Sequence, residues 1–146
     1  LEHINIECSK SAILMTHHTV ESKRMSKSEY RQLITDVYSK LKEIGVKDIY
    51  LSKHPAEKHS NDDFYNQIGL IASYQDYPSE LLVANKNITY IANPINSTIM
   101  MSHYFRYLNE IDAVISYIPK NSPHENERVK MINKVLSKYS AEHYVL

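Results

Sequence analysis

Three short polar segments carry residue types that could grip a phosphate. They are Lys53-His54-Pro55, Asn96-Ser97-Thr98 and Thr16-His17-His18-Thr19. Pro55 biases His54 toward an extended backbone, which would hold its imidazole at a strand end. A ring N–H there can donate to a phosphate oxygen, and a protonated ring can offset phosphate charge and help a phosphate leave. A structural histidine beside a turn proline gives the same dipeptide. Ser97 and Thr98 stand where a helix should begin after a strand. Free backbone N–H groups and the helix dipole make such a start an anion site, to which two hydroxyls can add hydrogen bonds. Plain capping by Ser97 is the simpler alternative, and the two are compatible.

Thr16 and His17, with His18 beside them, suit the lining of a cleft or an exposed polar loop. Neighbouring histidines diverge too much to chelate one metal, and there is no H-E-x-x-H or cysteine pair, so no metal site is expected. Glu80, just after Pro78, could bind ribose hydroxyls or serve as a helix-dipole partner.

These residues need a scaffold that brings separate loops together. Ala12–Met15, Asp48–Ser52, Ile88–Ala92 and Ala113–Ile118 read as strands, and Gln67–Ser73 as a short strand suited to an edge. Leu33, Ile34, Val37, Tyr38, Leu41 and Ile44 recur at helical spacing, which predicts a helix over 27–43 capped by Ser26 or Ser28 and stopped by Gly45. Asn61-Asp62-Asp63 reads as a cap or turn. Further helices are expected over 78–84, from Ser97 to Leu108 after a turn at Asn93–Asn96, and over 125–139. Val129, Ile132, Val135 and Leu136 would form the inner face of the last one. Residues 1–10 read as a loose lead-in. Alternating strands and helices predict an α/β Rossmann-like three-layer domain with a mostly parallel sheet. Ligands of such sheets sit beyond the carboxyl ends of the strands, where the three segments fall.

The bulk numbers narrow the class. The chain has 146 residues, enough for one domain with a core of its own. Basic and acidic residues balance at 17 each, so no basic field marks a nucleic-acid partner. The single cysteine, Cys8, excludes an internal disulfide. Two glycines are too few for a G-x-G-x-x-G or Walker loop. No apolar run approaches the ~18 residues of a membrane span. Neither a signal peptide nor an initiator methionine is seen, so a processed or truncated chain is expected.

Taken together, Lys53-His54-Pro55, Pro78-Ser79-Glu80 and Ser97-Thr98 resemble the motifs of bacterial sialyltransferases of the GT-B type, in particular the lipooligosaccharide sialyltransferases of glycosyltransferase family 52. The likeness spans about residues 11–118. It implies the C-terminal, nucleotide-binding half of a GT-B enzyme and a donor such as CMP-sialic acid or a related CMP-nonulosonate. His54 would contact the CMP phosphate and assist its departure, with Pro55 beside it. Ser97 and Thr98 would bind the same phosphate, and Glu80 the ribose or base. Thr16 and His17 would line the cleft. No cofactor is implied, in keeping with the missing D-x-D motif. The glycan acceptor, on lipooligosaccharide or capsule, would be held by an N-terminal domain. That domain also supplies the family's acidic base in an Asp/Glu-rich triplet ending in glycine; here Asn61-Asp62-Asp63 runs into Phe64. The N-terminal domain is therefore expected to be missing and this chain alone to be inactive. The implied location is the cytoplasm, at the inner face of the bacterial inner membrane.

Two other readings compete. CDP-glycerol-type polyol phosphotransferases share a His-Pro segment and a paired-serine helix start. They carry Asp-Tyr before the pair and Asp after it, where this chain has Ile95-Asn96 and Met100-Met101. A non-enzymatic flavodoxin-like or receiver-like module would want an acidic pair after its first strand, where this chain has Thr16-His17-His18.

Overall fold

The computed structural model describes residues 10–72, 88–95, 111–119, 125–139 and 141–146. Among the described residues six strands form one sheet: β1 (Ser11–Met15), β2 (Asp48–Ser52), β3 (Ile71–Ala72), β4 (Ile88–Pro94), β5 (Ala113–Tyr117) and β6 (Glu142–Val145). Their spatial order is β3-β2-β1-β4-β5-β6. Every pairing is parallel. This is the doubly wound order in which chain direction across the sheet reverses between β1 and β4, the switch point at whose carboxyl ends ligands of such folds bind. The expected α/β Rossmann-like domain is therefore present.

Both faces are covered, as a parallel sheet requires. Alternate residues of the strands feed two cores. Ala12, Leu14, Tyr90, Ala92, Ala113, Ile115 and Tyr117 point to the face covered by α1 (Lys27–Glu43), which contributes Tyr30, Ile34, Val37 and Leu41. Ile13, Met15, Ile91 and Val114 point to the other face, where α3 (Glu125–Leu136) contributes Ile132 and Leu136. Val129 and Val135, expected beside them, are half-buried.

Helix α1 starts and stops where expected. Ser26 is its N-cap in a reciprocal capping box, with Glu29 N–H donating to Ser26 Oγ at 3.1 Å and Ser26 N–H to Glu29 Oε1 at 3.2 Å. Gly45 follows its end at φ 101°. A short helix α2 (Asp62–Ile68) ends at Gly69, at φ 105°. A Cβ at Gly69 would stand 2.6 Å from Tyr38 Oη. Gly69→Ala is therefore expected to lower stability by about 1–2 kcal/mol, measured by urea unfolding. Gly45, with open space around it, bears only the backbone term, so Gly45→Ala should cost the smaller amount.

Four expectations are corrected. Gln67–Ser73 is not a continuous strand. Gln67 and Ile68 complete α2, Gly69 turns the chain, and only Ile71 and Ala72 pair with β2. The turn expected over Asn93–Asn96 is not found at Asn93–Ile95, because β4 runs on through Asn93 and Pro94, which pair with Ser116 and Tyr117, and Ile95 is already helical. Ile118 lies just beyond β5. The last helix ends at Leu136 and gives way to a 3₁₀ turn, Ser137–Tyr139. Strand β6 then follows, which the pattern of the sequence did not announce.

Strand β6 is half-exposed and polar, and side chains tie it down. His143 bonds Ser116 Oγ through Nε2 at 2.7 Å and Asn133 Oδ1 through Nδ1 at 2.6 Å. Ser116 is fully buried, so this relay joins β5, β6 and α3 rather than facing solvent. The expected lead-in over 1–10, Lys10 apart, and the expected helices over 78–84 and 97–108 lie outside the described residues. Among the described residues, no helix is long and apolar enough to cross a membrane.

Candidate functional site

The carboxyl ends of β1 and β2 are sewn together by Thr16. Its backbone N–H donates to Ser52 O at 3.0 Å, and its Oγ1 accepts from His54 N–H at 2.9 Å. This fixes the two following loops relative to each other and brings their histidines into one cluster. The His17 and His18 rings stack at 4.7 Å, His18 and His54 stand 4.4 Å apart, and His17 and His54 5.8 Å. Thr16 and His17 are buried, while His18 and His54 are half-buried.

The turn after His54 sets the state of its ring. Ala56 N–H donates to His54 Nδ1 at 3.0 Å, and Glu57 N–H closes the turn on His54 O at 3.0 Å. With Nδ1 accepting, the proton of the neutral ring resides on Nε2. Pro55 is exposed and forms the turn. Lys53 is turned to structural use: its ammonium meets Asp62 Oδ1 at 2.7 Å, and His59 Nδ1 meets Asp62 Oδ2 at 2.7 Å. Lys53 lowers the Asp62 pKa, with His59 adding to it.

Beneath the histidines lies a buried polar floor. His17 N–H donates to Tyr30 Oη at 3.2 Å, and Tyr30 Oη bonds Tyr65 Oη at 2.9 Å. The Glu57 carboxyl is buried beside them. Burial raises its pKa, and the Thr16 and Tyr65 hydroxyls and Lys53 only partly offset that. Burial also raises both tyrosines. His17 Nδ1, His18 Nδ1, Thr19 Oγ1 and both oxygens of Glu21, after β1, and Asn61 Nδ2, after β2, are enclosed without a hydrogen-bond partner among the described residues. Enclosed polar atoms left open in this number, all on two adjacent loops, mark a place that a ligand or solvent completes.

The electrostatics agree. Burial, then the neighbouring His18 and His54 and Arg24, lower the His17 pKa to about 4. Burial and His18 also lower His54, with Glu21 opposing. The unfolded chain binds a proton on His17 below about 6.5, and the native state resists it until about 4. Stability therefore falls as pH drops from 6.5 to 4. His54 acts in the same direction, while Glu57 acts oppositely just above its ordinary range. His17→Asn should flatten this acid limb, whose His17 share is at most about 3 kcal/mol, in urea titrations at pH 7 and pH 4.5.

Of the residues singled out from the sequence, Thr16, His17, His54 and Pro55 come together on the β1 and β2 loops. Glu80, Ser97 and Thr98 lie outside the described residues. Tyr30, Tyr65, Glu21 and Glu57 went unnoticed in the sequence. Glu57 and Glu21 had a local signal, each three residues after a histidine of the cluster, His54 and His18. Among the described residues, no group of three or more His, Cys, Asp or Glu side chains is arranged to hold a metal ion.

Fold and site together define a Rossmann-like α/β domain with a cluster of three histidines at its strand ends. No family model matches the chain, and no curated protein matches it. Among solved structures it is similar to one described as a "putative oxidoreductase from Erwinia carotovora atroseptica", with a TM-score of 0.56, 10% identity and coverage of 94% of this chain. The chain spans 36% of that protein's length. At that identity the likeness concerns the fold alone.

Proposed function

We propose that this chain is the nucleotide-binding domain of a GT-B-type glycosyltransferase that uses CMP-sialic acid or a related CMP-nonulosonate. The observation that carries the reading is the clamped His54. Its Nδ1 is occupied by the Ala56 N–H, so a neutral ring offers an Nε2–H donor on the carboxyl-end side of the sheet, the side at which ligands of such folds bind. Thr16 and His17 hold the adjoining wall. On this reading Ser97, Thr98 and Glu80 complete the donor site, and a second domain holds the glycan acceptor and supplies the base that activates its hydroxyl. Sialic acid would pass to a surface glycan such as lipooligosaccharide or capsule, at the cytoplasmic face of the bacterial inner membrane.

Hydrolysis or transfer is not expected from this chain alone, because both the acceptor site and the base belong to the second domain. Binding is expected. In calorimetric titration CMP and CMP-sialic acid should bind, and CDP-glycerol should bind at least tenfold more weakly. Preference for CDP-glycerol would favour the polyol phosphotransferase reading. Failure of every cytidine nucleotide to bind would favour a non-enzymatic module.

A further inference from the structure

A ligand of this cluster meets two opposite demands. His54 offers a donor, its Nε2–H, because Ala56 N–H occupies Nδ1. A phosphate, whose oxygens accept, answers that demand. Glu21 poses the reverse one. Both of its carboxylate oxygens are enclosed without a hydrogen-bond partner among the described residues, and an ionised carboxylate only accepts. The cluster's other carboxyl, Glu57, has the Thr16 and Tyr65 hydroxyls beside it. A phosphate oxygen cannot fill the place beside Glu21. What stands there must bring hydrogen-bond donors.

The loop holds that carboxylate in a closed turn. Ser22 N–H donates to His18 O at 2.9 Å, and Arg24 and Met25 N–H both donate to Thr19 O, at 2.9 and 3.3 Å. Ser22 Oγ donates to the same carbonyl at 3.3 Å. Thr19 is fully buried, and its Oγ1 also lacks a partner among the described residues. Alongside burial, the Glu21 charge acts on His54, Glu57 and Tyr30. The carboxylate therefore lies within electrostatic reach of the His54 ring. A phosphate centred on Glu21 would be repelled and would leave its enclosed oxygens unpaired.

We propose that Glu21 accepts hydrogen bonds from adjacent hydroxyl groups of the ligand's sugar, and so sets which end of the ligand meets His54. The inference rests on the CMP-donor reading above. The phosphate goes to His54 and the hydroxyls go to Glu21. Either sugar of a CMP-linked donor can supply them, the ribose or the sugar to be transferred. A site built to bond a hydroxyl rejects the analogue that lacks it, because the site's own enclosed group is then left unpaired.

The test is calorimetry at about pH 7.5 with CMP, its 2′,3′-dideoxy analogue and CMP-sialic acid. Each is titrated into the parent chain and into Glu21→Ala. With ribose as the source, the parent should prefer CMP to the dideoxy analogue by roughly tenfold to a hundredfold. With the transferred sugar as the source, it should prefer CMP-sialic acid to CMP by a similar factor. In either case Glu21→Ala should bind the two members of that pair alike. Should the alanine variant fail to fold, Glu21→Gln, uncharged and of the same shape, should lower the same ratio. A parent chain that discriminates within neither pair, or a preference unchanged in a folded variant, would overturn the role of Glu21 and leave the donor reading standing. Binding of none of the three ligands would overturn both.

Discussion

His54→Ala is expected to weaken CMP binding by roughly tenfold to a hundredfold, the range of one hydrogen bond to a charged group. The fold should barely notice. His54 is half-buried, and the Ala56 N–H it satisfies lies on an exposed residue that water can reach. The loss should also depend little on pH above 6, because a neutral ring already donates through Nε2. A role based on an imidazolium at this position would instead weaken steeply between pH 6 and 8. Isothermal titration of both proteins across that interval separates the two. Equal affinity of the variant and the parent chain would remove His54 from the site.

Tyr30→Ala should cost about 3–5 kcal/mol of stability, the largest effect expected of any single substitution discussed here. The Tyr30 ring is fully buried between α1 and the sheet, so truncation leaves a cavity that neighbouring Leu14, Ile34 and Tyr65 can only partly fill. Tyr30→Phe isolates the hydroxyl. It keeps the ring but orphans the His17 N–H and breaks the bond to Tyr65. That should cost about 1–3 kcal/mol. It should also loosen the His17 loop, so CMP affinity should fall in the Phe variant even where it remains fully folded. Urea unfolding monitored by tyrosine fluorescence, paired with CMP titration, gives both numbers. A Phe variant as stable as the parent would mean that solvent satisfies the His17 N–H.

The parallel sheet was legible because its strands are buried on both faces and read as apolar runs, as in Ala12-Ile13-Leu14-Met15. Helix α1 was legible because its period, cap and glycine stop agreed. The misreadings came where side chains or neighbours overrode local pattern. Strand β6 is a polar edge whose place depends on His143 reaching Ser116 and Asn133, residues distant in sequence. Helix α2 is only seven residues long, too short for helical periodicity to separate it from the apolar stretch beyond Gly69. Proline at 94 suggested a turn, yet at the last position of a parallel strand its missing N–H costs little.

The site was legible in part for the same reason. Strand ends followed by polar residues pointed to Thr16, His17 and His54. That the three imidazoles touch follows from the adjacency of β1 and β2, which no local motif encodes. The tyrosine pair and Glu57 reach the site from α1, α2 and a turn, and only the packed structure shows that they form its floor. The clamp on His54 Nδ1 also revised its role. Read from the sequence, His54 was a candidate to assist phosphate departure; the Ala56 hydrogen bond makes it a donor of fixed orientation.

The most direct test of a cytidine-phosphate site on this cluster is a crystal structure of the chain soaked with CMP. The account predicts a phosphate oxygen within hydrogen-bond distance, about 3 Å, of His54 Nε2, beside the His18 ring. A phosphate bound away from the β1 and β2 strand ends, with the three rings undisturbed, would contradict it.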